Sequence, residues 1–176
     1  TPMPMFKRAL LGVGYLAQDA SVFTMLTVEE NLQLVLEMTS LSKEEQSDKL
    51  EKLLSEFSIS HIRKSKAFTL SGGERRRTEI ARCLVTDPSF ILLDEPFAGI
   101  DPIAVEHIQK IIEKLKNKNI GVLITDHNVR ETLTITDRSY LLYNGNILKS
   151  GTTKELTQDE EAKKLYLGTK FKMDID

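Results

Sequence analysis

The sequence predicts an α/β protein that carries an α-helical subdomain, and three observations support this. Phe90-Ile91-Leu92-Leu93 is a continuous apolar run closed at once by Asp94-Glu95, the pattern of a central parallel strand buried on both faces. Val122-Leu123-Ile124 repeats that pattern one helix later, giving the strand–helix–strand order of a parallel sheet. Residues 22–87 contain only helix signals, so a helical subdomain stands ahead of the strand that carries the two acids.

The elements follow in order. Residues 10–17 read as a strand, apolar with two glycines and ending at Gln18. Thr27-Val28-Glu29-Glu30 is a capping box that opens a helix with Leu32, Val35 and Leu36 on its apolar face. Ser42-Lys43-Glu44-Glu45 repeats the signal, and Leu50, Leu53, Leu54 and Phe57 follow at i, i+3, i+4 and i+7. Ser71-Gly72-Gly73-Glu74 opens a third helix that runs to about Thr86 and is stopped by Asp87-Pro88. Asp101-Pro102 starts a fourth, with Asp as N-cap and Pro at N1. Its buried face is Val105, Ile108, Ile111, Ile112 and Leu115. Lys114, Lys116 and Lys118 crowd its last turns, where cations complement the helix dipole. Asn128 and Glu131 are the caps expected for the short helix after residues 122–124. Asn144-Gly145 between residues 140–143 and 147–148 is a type I′ hairpin signal. Residues 157–166 read as a charged terminal helix.

Composition excludes several classes. At 176 residues, 40% hydrophobic and 28% charged, the chain fits one globular domain or a large piece of one. A net charge of −2 argues against broad nucleic-acid binding, and Arg75, Arg76 and Arg77 are too few to reverse it. The single cysteine, Cys83, allows no internal disulfide and sits where a buried structural thiol is expected. No apolar run reaches the length of a membrane span, and no signal peptide is visible. The first residue is Thr1, as expected of a processed start or of a chain cut from something longer.

The chemistry lies at strand ends and helix starts. Asp94 and Glu95 stand at the carboxyl end of a strand, where open α/β sheets place their ligands. One such acid can hold Mg²⁺ through water, and the next can orient an attacking water. Ser71-Gly72-Gly73 offers a helix N-terminus with free amides to a phosphate. Each feature alone has an ordinary reading: a solvated acidic turn, an N-cap, a loop histidine at His127. Their joint order, from Gln18 through Ser71, Asp94, Glu95 and Asp101 to His127, does not.

That order resembles the nucleotide-binding subunits of ABC transporters. Gln18 matches the Q-loop glutamine, and Leu70-Ser71-Gly72-Gly73-Glu74 the signature motif. Asp94 and Glu95 match the Walker B aspartate and catalytic glutamate, Ala98-Gly99-Ile100-Asp101 the D-loop, and His127 the switch histidine. The resemblance covers nearly the whole chain, and only the part of the family's domain from the Q-loop strand onward. No G-x-x-x-x-G-K-[ST] phosphate loop (Walker A) occurs in the sequence. The antiparallel subdomain and the adenine-stacking aromatic of the family are not recognisable either.

The resemblance therefore implies an incomplete P-loop NTPase (ABC ATPase) fold. Residues 1–21 would hold the Q-loop strand, 22–87 the helical subdomain with the signature motif, 88–156 the α/β core, and 157–176 a C-terminal helix and tail. It implies ATP and Mg²⁺ as cofactors. Glu95, His127 and Gln18 would be catalytic, Asp94 and Gln18 would hold metal, and Ser71, Gly72, Gly73 and Asp101 would bind nucleotide. The implied partners are a second ATPase subunit, in a head-to-tail homodimer, and transmembrane transporter subunits. The implied place is the cytoplasmic face of the inner membrane, and Phe23 and Leu26 would line the groove for the membrane partner.

Gly14-Tyr15-Leu16-Ala17-Gln18, Glu74-Arg75-Arg76-Arg77, Pro96-Phe97-Ala98-Gly99-Ile100-Asp101-Pro102 and Thr125-Asp126-His127-Asn128-Val129-Arg130-Glu131-Thr132 narrow the resemblance to LptB-type ATPases of lipopolysaccharide export. The tail Tyr166-Leu167-Gly168 with Phe171 fits that type. Branched-chain amino-acid importer ATPases rank second, and a non-catalytic remnant is the alternative from a different class. The 18-to-71 interval is too short for the coiled coils of DNA-repair relatives. Ala17, Thr24 and Met25 depart from the usual proline and basic residues at those positions. The chain alone is expected to lack ATPase activity, for want of the phosphate loop.

Overall fold

The computed structural model describes residues 2–168, and these divide into one unit ending at Asp126 and another starting at His127. Phe171 and the tail beyond Gly168 lie outside the described residues.

The first unit opens with α1 (Met5–Leu10) and β1 (Val13–Leu16). The expected strand over residues 10–17 is thus shorter, because Gly12 turns the chain at φ 85° between helix and strand. Three helices follow: α2 (Val28–Leu36), α3 (Lys43–Glu56) and α4 (Gly72–Cys83). Each begins with a complete capping box, on Thr27 with Glu30, Ser42 with Glu45, and Ser71 with Glu74. Leu32, Leu36, Leu53, Leu54, Phe57 and Ile80 are buried among them. The stripe read from the sequence is the core of this helical part.

After a 3₁₀ turn at Leu84–Thr86 come β2 (Phe90–Asp94), α5 (Pro102–Asn117) and β3 (Gly121–Thr125). The sheet order is β1-β2-β3, parallel throughout. β2 is therefore central, as expected, with neighbours along both edges. The edges without a partner among the described residues belong to β1 and β3. Burial of β2 on both faces is also corrected. Ile91 and Leu93 are 0% and 1% exposed, whereas Phe90 on the other face is 39% exposed. β3, expected to be buried, is half exposed for the same reason, with Leu123 at 49%. Helices of the first unit cover one face of the sheet, and Tyr15, Phe90 and Leu123 on the other are exposed.

In the second unit, α6 (Val129–Ile135) precedes the hairpin β4 (Ser139–Tyr143) and β5 (Asn146–Gly151). Asn144 and Gly145 have φ of 48° and 77°, the two left-handed residues a type I′ turn requires. Asn128 holds the N-cap position of α6, but its side chain makes no capping bond, contrary to expectation. The single terminal helix expected over residues 157–166 is instead α7 (Thr153–Gln158), α8 (Glu160–Ala162) and a π turn at Lys163–Leu167. The break falls at Asp159, which leaves helical geometry with ψ 122° and caps α8 by accepting from the Ala162 N–H at 2.8 Å. Leu133, Leu141, Leu156 and Ala162 form the core of this unit.

Candidate functional site

The ends of β1 and β2 converge on the residues that the sequence singles out. Asp94 closes β2, and Glu95 follows in the left-handed region at φ 43°. A non-glycine residue there costs about 1–3 kcal/mol and persists only where its surroundings fix it. Three hydrogen bonds do so. The Glu95 N–H donates to the Thr125 carbonyl at 2.7 Å. The Glu95 carbonyl accepts from the Ala98 N–H at 3.1 Å and from Arg76 Nη2 at 3.0 Å. The turn aims the carboxylate back toward β1, where Gln18 Nε2 donates to Glu95 Oε2 at 2.8 Å.

Asp94 is held separately. Its Oδ1 accepts from the Thr125 hydroxyl at 2.5 Å, and its Oδ2 from the Tyr15 hydroxyl at 3.4 Å. Neighbouring strands thus fix one acid by side chains and the other by backbone. Asp126 extends the arrangement by accepting from the Phe97 N–H at 3.1 Å.

Ser71 caps α4, and its hydroxyl donates to Glu74 Oε2 at 2.7 Å. That bond, followed by the one from the Ser71 N–H, holds the Glu74 carboxyl below its ordinary range. The two glycines meet protein atoms closely. A Cβ on Gly73 would lie 2.6 Å from Ala104 Cβ, and one on Gly72 would lie 3.1 Å from the Gly99 carbonyl oxygen. The start of α4 is thus pressed against the Gly99-Ile100-Asp101 loop and the first turn of α5. Asp101 caps α5, accepting from the Ala104 N–H at 3.0 Å.

The first unit therefore brings Gln18, Asp94 and Glu95 together, and sets Gly72 and Gly73 beside the loop before Asp101. His127 belongs to the second unit, where it is exposed and its carbonyl accepts from the Val129 N–H at 3.0 Å. Phe23 is 50% exposed, and Leu26 is half-buried.

Four residues escaped the sequence reading: Asn31, Arg76, Glu79 and Arg82. Asn31 is fully buried and grips Phe23, accepting from its N–H at 2.9 Å and donating to its carbonyl at 3.1 Å. Arg76, Glu79 and Arg82 lie at i, i+3 and i+6 on α4. That spacing was visible, but it reads as an ordinary charged helix face until burial is known.

Asp94 and Glu95 supply hard carboxylate oxygens of the kind Mg²⁺ takes. No group of three or more His, Cys, Asp or Glu side chains that could hold a metal occurs among the described residues. A Mg²⁺ held here would take its other ligands from water and phosphate, which suits that ion. No helix among the described residues is long and apolar enough to cross a membrane.

The chain is similar to known proteins both in sequence and in fold. The ABC transporter family matches residues 4–98. An uncharacterized ABC transporter ATP-binding protein of Rhizobium meliloti is 54% identical over 173 residues, which is 98% of this chain and 64% of that protein. The lipopolysaccharide export system ATP-binding protein LptB of Haemophilus influenzae is 54% identical over 172 residues, covering 97% of this chain and 71% of that protein. The ATP-binding cassette MJ1267 in its ADP conformation superposes with a TM-score of 0.80 at 28% identity, over 96% of this chain and 73% of that one. The chain spans 64% and 62% of the length of two of its curated relatives, those from Rhizobium meliloti and Azorhizobium caulinodans. With a parallel sheet that has acids at its carboxyl end, a capped Ser-Gly-Gly helix and these likenesses, the chain has the ABC ATPase fold and belongs to the ABC transporter family.

Proposed function

We infer that this chain is the ATP-binding and hydrolysing part of an ABC transporter subunit that powers lipopolysaccharide export from the inner membrane, working at its cytoplasmic face. The observation that carries the reading is the Gln18–Glu95 hydrogen bond beside Asp94, formed at the carboxyl edge of the sheet. The 54% identity to an LptB protein supports the cargo.

The residues divide the work. Glu95 orients the attacking water and takes up its proton, which its strained, fixed backbone suits. Asp94 supports Mg²⁺ through water, and Gln18 stands on the same side of the site. Bound Mg²⁺ neutralises charge on the phosphate oxygens. Ser71 and the Gly72 and Gly73 amides face the phosphate held by a second, head-to-tail copy, with Asp101 beside them. His127 contacts the terminal phosphate. The helical subdomain, residues 22–87, docks on transmembrane subunits near Phe23 and Leu26. The 176-residue chain by itself does not turn over ATP, since it contains no G-x-x-x-x-G-K-[ST] segment.

Two variants of the full-length protein test the roles. Glu95→Gln lowers hydrolysis by roughly 10²–10⁴ while ATP binding persists, so a closed dimer accumulates in ATP. Ser71→Arg fills the space for the facing phosphate and leaves an ATP-bound monomer. Size-exclusion chromatography in ATP separates them. Two monomers, or full turnover by Glu95→Gln, would refute the assignment.

A further inference from the structure

One buried face of α4 touches the segments that carry Gln18, Asp94 and Glu95. Arg76 and Glu79 pair at 3.3 Å, with side chains only 8% and 2% exposed. Arg76 Nη1 also donates to the Ala17 carbonyl at 2.8 Å, and Nη2 donates to the carbonyls of Asp94 at 2.7 Å and Glu95 at 3.0 Å. One guanidinium thus holds the peptide that enters Gln18 and both peptides that flank the strained Glu95. One turn further along, Glu79 accepts from the Ser21 N–H at 2.6 Å. At the far end, Arg82 donates to the Ser21 carbonyl at 2.7 Å and lies 5.2 Å from the centre of the exposed Phe23 ring.

We propose that Arg76 is a positioning residue: it sets Glu95 and Gln18 relative to each other, with Glu79 as its buried counter-charge and Arg82 tying the same helix face to the Phe23 segment. The planar fork is essential. It reaches three carbonyls on two separate segments at once, which the single ammonium of a lysine does not. Glu79 makes the buried charge tolerable. A displacement of the Phe23 segment is thereby passed along one rigid helix to the backbone on either side of Glu95. The proposal rests on the reading of Glu95 as the water-orienting carboxylate.

The test uses the full-length protein with Arg76→Met, Arg76→Lys and Glu95→Gln, measuring kcat, KM, ATP affinity and ATP-binding stoichiometry. Arg76→Met should lose at least tenfold in kcat, with affinity and stoichiometry within twofold of wild type. Arg76→Lys keeps the charge pair and should fall between the two. If the Met variant does not fold, the Lys variant decides alone. Wild-type kcat in either Arg76 variant, while Glu95→Gln is inactive, overturns the positioning role only. A kcat that falls merely in step with binding stoichiometry overturns it as well. Full turnover by Glu95→Gln overturns the underlying reading, and the proposal with it.

Discussion

Gln18 and Glu95, 77 positions apart in the chain, share a 2.8 Å hydrogen bond from amide to carboxylate. The bond is polar but puts only one formal charge in the contact. Gln18→Glu would set a second carboxylate against the first, and like charges in one contact repel. In the full-length protein this variant should hydrolyse ATP more slowly than Gln18→Ala, because repulsion moves Glu95 from its place while loss of the amide alone does not. Steady-state phosphate release by the two variants checks this. Equal rates would show that Glu95 is not sensitive to its neighbour's charge.

The 176-residue chain should release no phosphate from Mg-ATP above background, since positioning the phosphates is most of the catalysis. A steady-state phosphate assay is sufficient. Turnover abolished by Glu95→Gln would show that the residues present form a working site.

Gly73 is required by packing as much as by any ligand, because its missing Cβ leaves room for Ala104. Gly73→Ala should destabilise the chain by about 1–3 kcal/mol through overpacking, although alanine favours a helix by about 1 kcal/mol. Adding Ala104→Gly should recover part of the loss, giving a coupling of about 1 kcal/mol in a double-mutant cycle. Urea unfolding of the four proteins measures it. Additive effects would mean that the two residues do not press on each other.

The legible part of this fold was whatever local chemistry fixes. Capping boxes at Thr27, Ser42 and Ser71 and the Asp101-Pro102 start placed four helices, since each signal is complete within four residues. The Asn144-Gly145 turn was equally local. Strand burial was not legible, because Phe90 and Leu123 carry the same apolar pattern whether or not something covers them. Nor was the split at Asp159, where a capping aspartate competes with a helix that composition alone would continue. Within the site, Glu95 was found by its place after an apolar strand. Arg76 was missed, because its partners are backbone carbonyls on two distant segments, which leave no mark on side-chain spacing.

Cys83 offers a pH test of the first unit. Burial pushes its thiol up from 9.0 to about 11, against smaller lowering by the Tyr15 backbone hydrogen bond and the Arg82 charge. A raised folded value means that the thiol's contribution to stability is complete below the unfolded value and is lost as pH rises through about 11. Alkylation at pH 8.5 should therefore be roughly a hundredfold slower in the folded chain than in urea, following thiolate population. Equal rates would mean that the sulfur is open to water.

The uncovered sheet face makes the last prediction. Tyr15, Leu92 and Leu123 stand in register across the three strands, and the Phe90 ring lies over Gly121. Tyr15 and Leu123 are about half exposed. Contiguous apolar surface of this kind, next to the open edge of β3, drives association. The 176-residue chain should sediment as dimers or larger species at micromolar concentration. Leu123→Lys puts a charge at the β3 end of the row without touching the buried face, since Ile91 and Leu93 point the other way. It should shift the population toward monomer and leave the melting temperature within a few degrees. Sedimentation velocity on both chains decides the matter. A monomeric wild-type chain with a cooperative melt would show that this face tolerates water, and an associated Leu123→Lys chain would move the contact elsewhere.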